Sequence, residues 1–138
     1  MTADSPLRKL RVERMGTVGY EPMHELQKSR HADVLAGHQD DTLFLLEHLP
    51  VITAGKNTGR GHVLAAEPEL ARRGVEIFDS GRGGDVTYHA PGQIVGYPIV
   101  HLAEGERDIR KYVCNLEEVL IRTAKDFGIV AARVDGMR

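Results

Sequence analysis

Tryptophan is missing from this sequence, and cysteine occurs once. A lone cysteine excludes a disulfide framework and any cysteine-rich zinc site. Four tyrosines and three phenylalanines make up the whole aromatic complement, so base-stacking surfaces are scarce. Neither sign of charge dominates: the net charge is −2 and the isoelectric point about 6.4. No basic field is available to hold a phosphate backbone, which argues against a nucleic-acid partner. No apolar run approaches the roughly 20 residues that a membrane span needs. Met1 to Arg11 is polar and lacks the apolar centre of a signal peptide. These absences lead to the expectation of a cytoplasmic protein that touches neither membrane nor nucleic acid. What remains is an ordinary globular composition over 138 residues, enough for a single domain spanning 1–138 with its own core.

The pattern of apolar residues predicts alternating strands and helices. Leu10 to Met15 alternates and reads as a strand, followed by a turn over Gly16 to Glu21. Pro22 suits the first turn of a helix over about 22–36, with Met23, Leu26, Arg30 and Val34 on one face and Gly37 as its stop. Thr42 to Glu47 is a nearly continuous apolar run and predicts a strand buried on both faces. A break at His48-Leu-Pro50, a short strand at Val51–Thr53 and a glycine-bearing loop from Gly55 to Gly61 follow. Pro68 to Arg73 predicts a short helix ended by Gly74, and Val75–Phe78 another strand. Ile94–His101 reads as a strand. Asp108 then caps a helix whose apolar stripe runs from Ile109 through Tyr112, Val113 and Leu116 to Phe127, with Gly128 after it. Ile129–Val134 predicts a final strand leading into the hairpin dipeptide Asp135-Gly136. Either the returning strand is missing, leaving an open edge, or these last residues are a frayed tail. The order indicates an α/β or α+β fold.

Chemistry concentrates between Asp79 and Pro98, which holds glycines at 81, 83, 84, 92 and 96. So many glycines imply either sharp turns or close approach of the backbone to something bound. Gly81, Gly83 and Gly84 would expose successive N–H donors, and Arg82 would add a charged fork. The segment is not a phosphate-binding loop of the Gly-Lys-Ser/Thr kind, nor the dinucleotide fingerprint. Thr87 and His89 share one face of a β-prone stretch, Val86 and Tyr88 the other. His89 is a candidate base or substrate hydrogen-bond partner, or else a residue that fixes the turn at Ala90-Pro91.

The other candidates are weaker. His24, His31 and His38 recur every seven residues, about 10 Å apart on a helix and too far for a shared metal, so they read as a solvated face. His48 beside Glu47 either lines a site at a strand end or is a core histidine. His62 and His101 belong to no constellation. Cys114, with Lys111 one turn earlier, invites a nucleophile reading, but its margin position on the helix favours a structural role.

Two stretches carry a resemblance. Leu43-Phe-Leu-Leu-Glu-His-Leu-Pro-Val-Ile-Thr-Ala-Gly55 resembles the Glu-His-x-Pro-Val-x-Thr-x-Gly segment of lipoyl(octanoyl) transferases. Arg82-Gly-Gly-Asp-Val-Thr-Tyr-His-Ala-Pro-Gly-Gln93 is similar to that family's Arg-Gly-Gly-x-Val-Thr-Tyr-His-Gly-Pro-Gly-Gln signature, with Ala90 in place of a glycine. The likeness extends to the Leu116-Glu117 helix and to Arg133–Gly136. It implies a biotin/lipoate ligase-like fold, a mixed sheet with packed helices, incomplete at the C-terminus. It implies transfer of an octanoyl group from octanoyl-acyl carrier protein to a lysine of lipoyl domains, such as those of 2-oxoacid dehydrogenase E2 subunits and the glycine cleavage H protein. No metal, nucleotide or other cofactor is implied. The substrate-binding stretch would be Arg82, Gly83, Gly84, Asp85, Val86, Thr87, Tyr88 and His89. The family's catalytic lysine and cysteine fall beyond Arg138, so the resemblance makes residues 1–138 the N-terminal two-thirds of such a domain. Two alternatives stand beside it: a non-catalytic module for acyl-carrier or lipoyl domains (or half of a two-chain enzyme), and a relative of the ATP-dependent lipoate ligases.

Overall fold

The computed structural model describes residues 8–56, 61–134 and 136. They form two compact units, 1–101 and 102–138.

The first unit holds two three-stranded mixed sheets. In one, β2 (Asp41–His48) lies between β1 (Leu10–Val18), parallel to it, and β6 (Val95–Ile99), antiparallel. In the other, β3 (Val51–Ala54) lies between parallel β4 (Glu76–Asp79) and antiparallel β5 (Thr87–His89). The break at Leu49-Pro50 lets consecutive strands β2 and β3 enter different sheets: proline donates no ladder hydrogen bond. The mixed α/β architecture expected from the alternation is therefore present.

The predicted turn at Gly16 is not a turn. β1 runs on to Val18 through a bulge between Arg14 and Gly16, and α1 (Tyr20–Leu35) begins two residues before Pro22. A bulge absorbs one residue without ending a strand, a choice that local sequence does not reveal. On β2 the expectation of two buried faces gives way to alternation. Thr42, Phe44, Leu46 and His48 are buried while Asp41, Leu43, Leu45 and Glu47 are half-buried. One face meets α1, and the core consists of Met23, Phe44 and Leu46 with Met15, Val18, Leu26, Val95, Tyr97 and Ile99 around them.

Arg30 does lie on the inward face of α1, as its spacing indicated. It donates to Glu13 at 2.7 Å and to Thr42 Oγ1 at 2.9 Å, and its guanidinium stands 5.0 Å from the centre of the Phe44 ring. Its charge is paired, which is the condition for placing it so close to a core.

After β3, α2 (Glu67–Arg72) fills the connection to β4 and buries Leu70. In the second unit, α3 (Ile109–Asp126) starts at Asp108, whose carboxylate accepts from Lys111 N, and closes with Ile129 N donating to Ala124 O and Gly128 N to Lys125 O. That pair of bonds is the Schellman ending, and the same ending occurs after α1 and α2. The expected burial of the α3 stripe is not found: none of its side chains is buried. Among the described residues this unit has α3, a 3-10 turn at Glu104–Glu106 and an extended segment, with no second layer of its own to close over the stripe.

The predicted strand Ile129–Val134 does not form either. A strand needs a ladder partner, and this segment is tied to α3 by side chains instead. Arg133 donates to Glu117 at 2.9 Å, to Glu118 at 3.0 Å and to the Cys114 carbonyl at 3.0 Å. Asp135 of the expected hairpin lies outside the described residues.

Candidate functional site

The glycine-rich stretch packs onto the end of β3. Gly55 N donates to Asp85 O at 3.2 Å and Lys56 N to Arg82 O at 3.0 Å. A Cβ on Gly55 would stand 2.0 Å from the Gly84 oxygen. No side chain fits there, so the sequence must place glycine at 55. The loop thus turns the carbonyls of Arg82 and Asp85 toward the end of β3.

Arg82, read from the sequence as a charged fork, is turned inward, and its fork is spent on the protein's own groups. Its Nη2 donates to Thr87 Oγ1 at 2.7 Å and to Thr53 O at 2.9 Å, its Nε to Thr53 Oγ1 at 3.3 Å, and its Nη1 to Gly83 O at 2.9 Å. Thr53 is fully buried. The guanidinium's planar set of donors fits two strands and a loop at once, which a lysine ammonium would not match. Asp85 accepts from Val86 N at 2.8 Å and pairs with His62 Nδ1. His62, which no sequence pattern singled out, therefore joins the stretch.

The two faces expected of this strand are present. Thr53 lies opposite Thr87 and Val51 opposite His89, on the side of Arg82. Ile52 lies opposite Tyr88, and these two with Val63, Leu64, Ala65 and Val86 border an open, largely apolar groove of about 290 Å³, to whose lining His62 and Thr87 add polar atoms.

On the His89 side, rings from five elements meet. His48 lies 5.1 Å from Tyr20, 5.7 Å from His89 and 5.8 Å from Tyr97, centre to centre. Tyr20 also meets Phe78 at 4.9 Å and His24 at 5.9 Å. His24 is accordingly part of this cluster and not of a solvated face, whereas His31 and His38 are exposed. The local period placed His24 on the helix surface; only the proximity of β4 reveals its neighbours.

His48 is fully buried and both ring nitrogens are bonded: Nδ1 to Val18 O at 3.1 Å and Nε2 to Tyr97 Oη at 2.8 Å. A carbonyl oxygen only accepts, so Nδ1 carries the proton and Nε2 accepts from the tyrosine. Burial holds the His48 pKa below its ordinary value; the bond to Val18 opposes this and the nearby His89 adds to it. Burial also pushes Tyr97 up to about 12, with Tyr20 contributing and a bond from Gln27 pulling the other way. Tyr20 is raised by burial as well, against a bond with Ser80 and the charge of Arg82. Tyr20, His48 and Tyr97 are thus uncharged near neutral pH, a setting suited to a partly apolar ligand.

Cys114 is half-buried on α3 in the other unit. Among the described residues no three histidine, cysteine or carboxylate side chains come together as a metal site, and no helix is long and apolar enough to cross a membrane.

The first unit thus carries a glycine-rich stretch locked onto the second of two mixed sheets. The chain belongs to the lipoyl protein ligase A/B catalytic domain family, whose model matches residues 20–138. Among relatives it is similar to the protein named octanoyltransferase of Chloroflexus aurantiacus, 45% identical over 131 residues, 95% of this chain and 59% of that protein. The octanoyltransferase of Acidobacterium capsulatum is 49% identical over 129 residues, 88% of this chain and 52% of that one. The chain thus spans little more than half the length of these curated relatives. In structure it resembles a T. acidophilum protein described as a lipoate protein ligase, with a TM-score of 0.67, 13% identity, and coverage of 93% of this chain and 53% of the other. The same protein with bound lipoic acid gives a TM-score of 0.65.

Proposed function

We propose that this chain provides the acyl-binding wall of an octanoyltransferase. The whole protein would move an octanoyl group from octanoyl-acyl carrier protein to a lysine of a lipoyl domain, with Arg82 to His89 as the substrate-binding stretch. The single observation that carries this reading is the lock on that stretch. The Gly55–Gly84 contact and the Arg82 bonds to Thr53 and Thr87 hold it between a cluster of rings and a largely apolar groove. A fixed, largely apolar surface with few polar groups is what an aliphatic acyl chain requires. Naming among the relatives at 45% and 49% identity supports transfer over ATP-dependent activation.

The test is titration of this chain with octanoyl-loaded carrier protein, using the unloaded carrier as control. Saturable binding that depends on the acyl group is the expected outcome, with resonances of Val86 and His89 reporting which face is used. Equal or absent binding of both carriers would sink the proposal. A version extended by the native downstream reading frame should acylate a lipoyl domain without ATP. A requirement for ATP would favour the ligase reading, which the lipoate-binding fold neighbour makes the natural competitor.

A further inference from the structure

We infer that Gln93 is a positioning residue that sets the protonation pattern of His89, through a turn whose geometry the sequence Ala90-Pro-Gly-Gln93 specifies. The inference deepens the proposed function and rests on that reading for its use of His89 in the substrate site.

The turn comes first. Gln93 N donates to Ala90 O at 3.2 Å, closing four residues. Pro91 occupies the second position, where its ring presets φ, and Gly92 the third, with φ of +94°. Proline followed by a residue at positive φ is the signature of a type II turn, and glycine takes that φ without strain. A second bond fixes the turn from outside: Gly92 N donates to Glu47 Oε2 at 2.7 Å. Glu47 precedes the buried His48 on β2, so one strand holds both the turn and the ring that faces His89.

The turn brings the Gln93 carboxamide back to His89. His89 Nδ1 and Gln93 Oε1 are 2.6 Å apart. A carboxamide oxygen only accepts, so Nδ1 of the neutral ring carries the proton and Nε2 keeps its lone pair. Among the described residues the His89 side chain makes no other hydrogen bond. Nε2 is therefore an acceptor, suited to the N–H of an amine that approaches the acyl group. The logic is that of a histidine whose one nitrogen is held by a partner so that the other has a defined role.

Nitrogen NMR of the histidine ring tests this in the 138-residue chain, because protonated and bare ring nitrogens differ in chemical shift. In the wild type, Nδ1 of His89 should give the protonated signature and Nε2 the bare one. Gln93→Leu should lower the ratio of the Nδ1–H to the Nε2–H form about fivefold, the factor expected for one ordinary hydrogen bond. Gln93→Glu keeps an acceptor oxygen and should retain the wild-type form. A wild-type ring carrying its proton on Nε2, or a folded Gln93→Leu protein with an unchanged ratio, overturns the inference. Should the leucine variant not fold, the wild-type measurement alone decides. Addition of octanoyl-loaded carrier separates the two claims. The expected form of His89 without any binding would end the functional reading and leave the Gln93 assignment intact; binding with the wrong form would do the reverse.

Discussion

The α-carbon of Gly55 faces the peptide of Gly84 so closely that a methyl group there would lie 2.0 Å from the Gly84 oxygen and 2.9 Å from its carbonyl carbon. Both obstacles are backbone, so neither can swing aside as a side-chain tip would. Gly55→Ala must push the 82–85 loop off the end of β3. The expected cost is about 1–3 kcal/mol, typical of overpacking, together with loss of acyl-dependent binding. Thermal melting and carrier titration measure the two effects; an alanine variant with unchanged melting temperature and affinity would contradict the account.

Arg82→Lys keeps the charge and removes the planar donor set. The lysine has one nitrogen to stand in for Nη2 beside Thr53 and Thr87, and none for the Nε bond to Thr53 Oγ1 or the Nη1 bond to Gly83 O. A fall in stability of about 1–3 kcal/mol is expected, the range for groups left unsatisfied. Thr87→Val should reproduce part of that fall in the wild type and less of it in the lysine variant. A double-mutant cycle in urea reads this coupling, and strict additivity would show that the contact carries no weight.

Tyr97→Phe deletes the donor to His48 Nε2 and leaves a fully buried acceptor without its partner. The penalty should be about 1–3 kcal/mol, visible as a lower urea midpoint at an unchanged slope. In the wild type, alkaline titration of tyrosine absorbance should show one group ionising near 12, well after an ordinary phenol. That late step should vanish in the phenylalanine variant.

His48 makes stability depend on pH in a defined direction. Its folded pKa lies below the ordinary histidine value, so the unfolded chain takes up the proton first as pH falls. The stabilisation is fully present above the unfolded value of about 6.5, and declines from there down through the lower folded pKa. Urea midpoints should therefore be level from about pH 8 to 7 and drop toward about pH 5. His48→Gln, which removes the titrating group, should flatten that part of the profile. A wild type that gains stability between about pH 7 and 5 would reverse the sign and refute the assignment.

Arg133→Ala bears on the second unit. The arginine links the 129–134 segment to Glu117, Glu118 and the Cys114 carbonyl, all partly exposed. Solvent-screened ion pairs of this kind contribute little to stability. The variant should melt within a few degrees of the wild type, while amide exchange across 129–134 accelerates. Unchanged exchange there would show that the arginine does not hold the segment.

Local chemistry made much of this legible. Short-range signals suffice where a feature depends on neighbours in sequence. The glycine stops at 37, 74 and 128, the Asp108 cap and the two-faced strand around Thr87 and His89 are of this kind, and the structure has them all. Ile129–Val134 shows the limit. Its β-prone residues satisfy every local criterion, yet a strand exists only where a partner supplies a ladder. The bulge at Gly16 and the half-buried second face of β2 fail to show for the same reason: both depend on which strand lies alongside.

Residues 82–89 stand out in the sequence because glycine density, a fixed cation and a β-prone run coincide there, and because a long signature matches a known family. Where their side chains lie depends on the fold. It turned Arg82 inward onto Thr53 and Thr87, pressed Gly84 against Gly55, and gathered Tyr20, His24, His48, Phe78 and Tyr97 near His89. The physical reason is the range of the forces. Dihedral preference and periodicity act over a few residues, whereas desolvation, ring contact and hydrogen-bond satisfaction depend on groups brought together from distant parts of the chain.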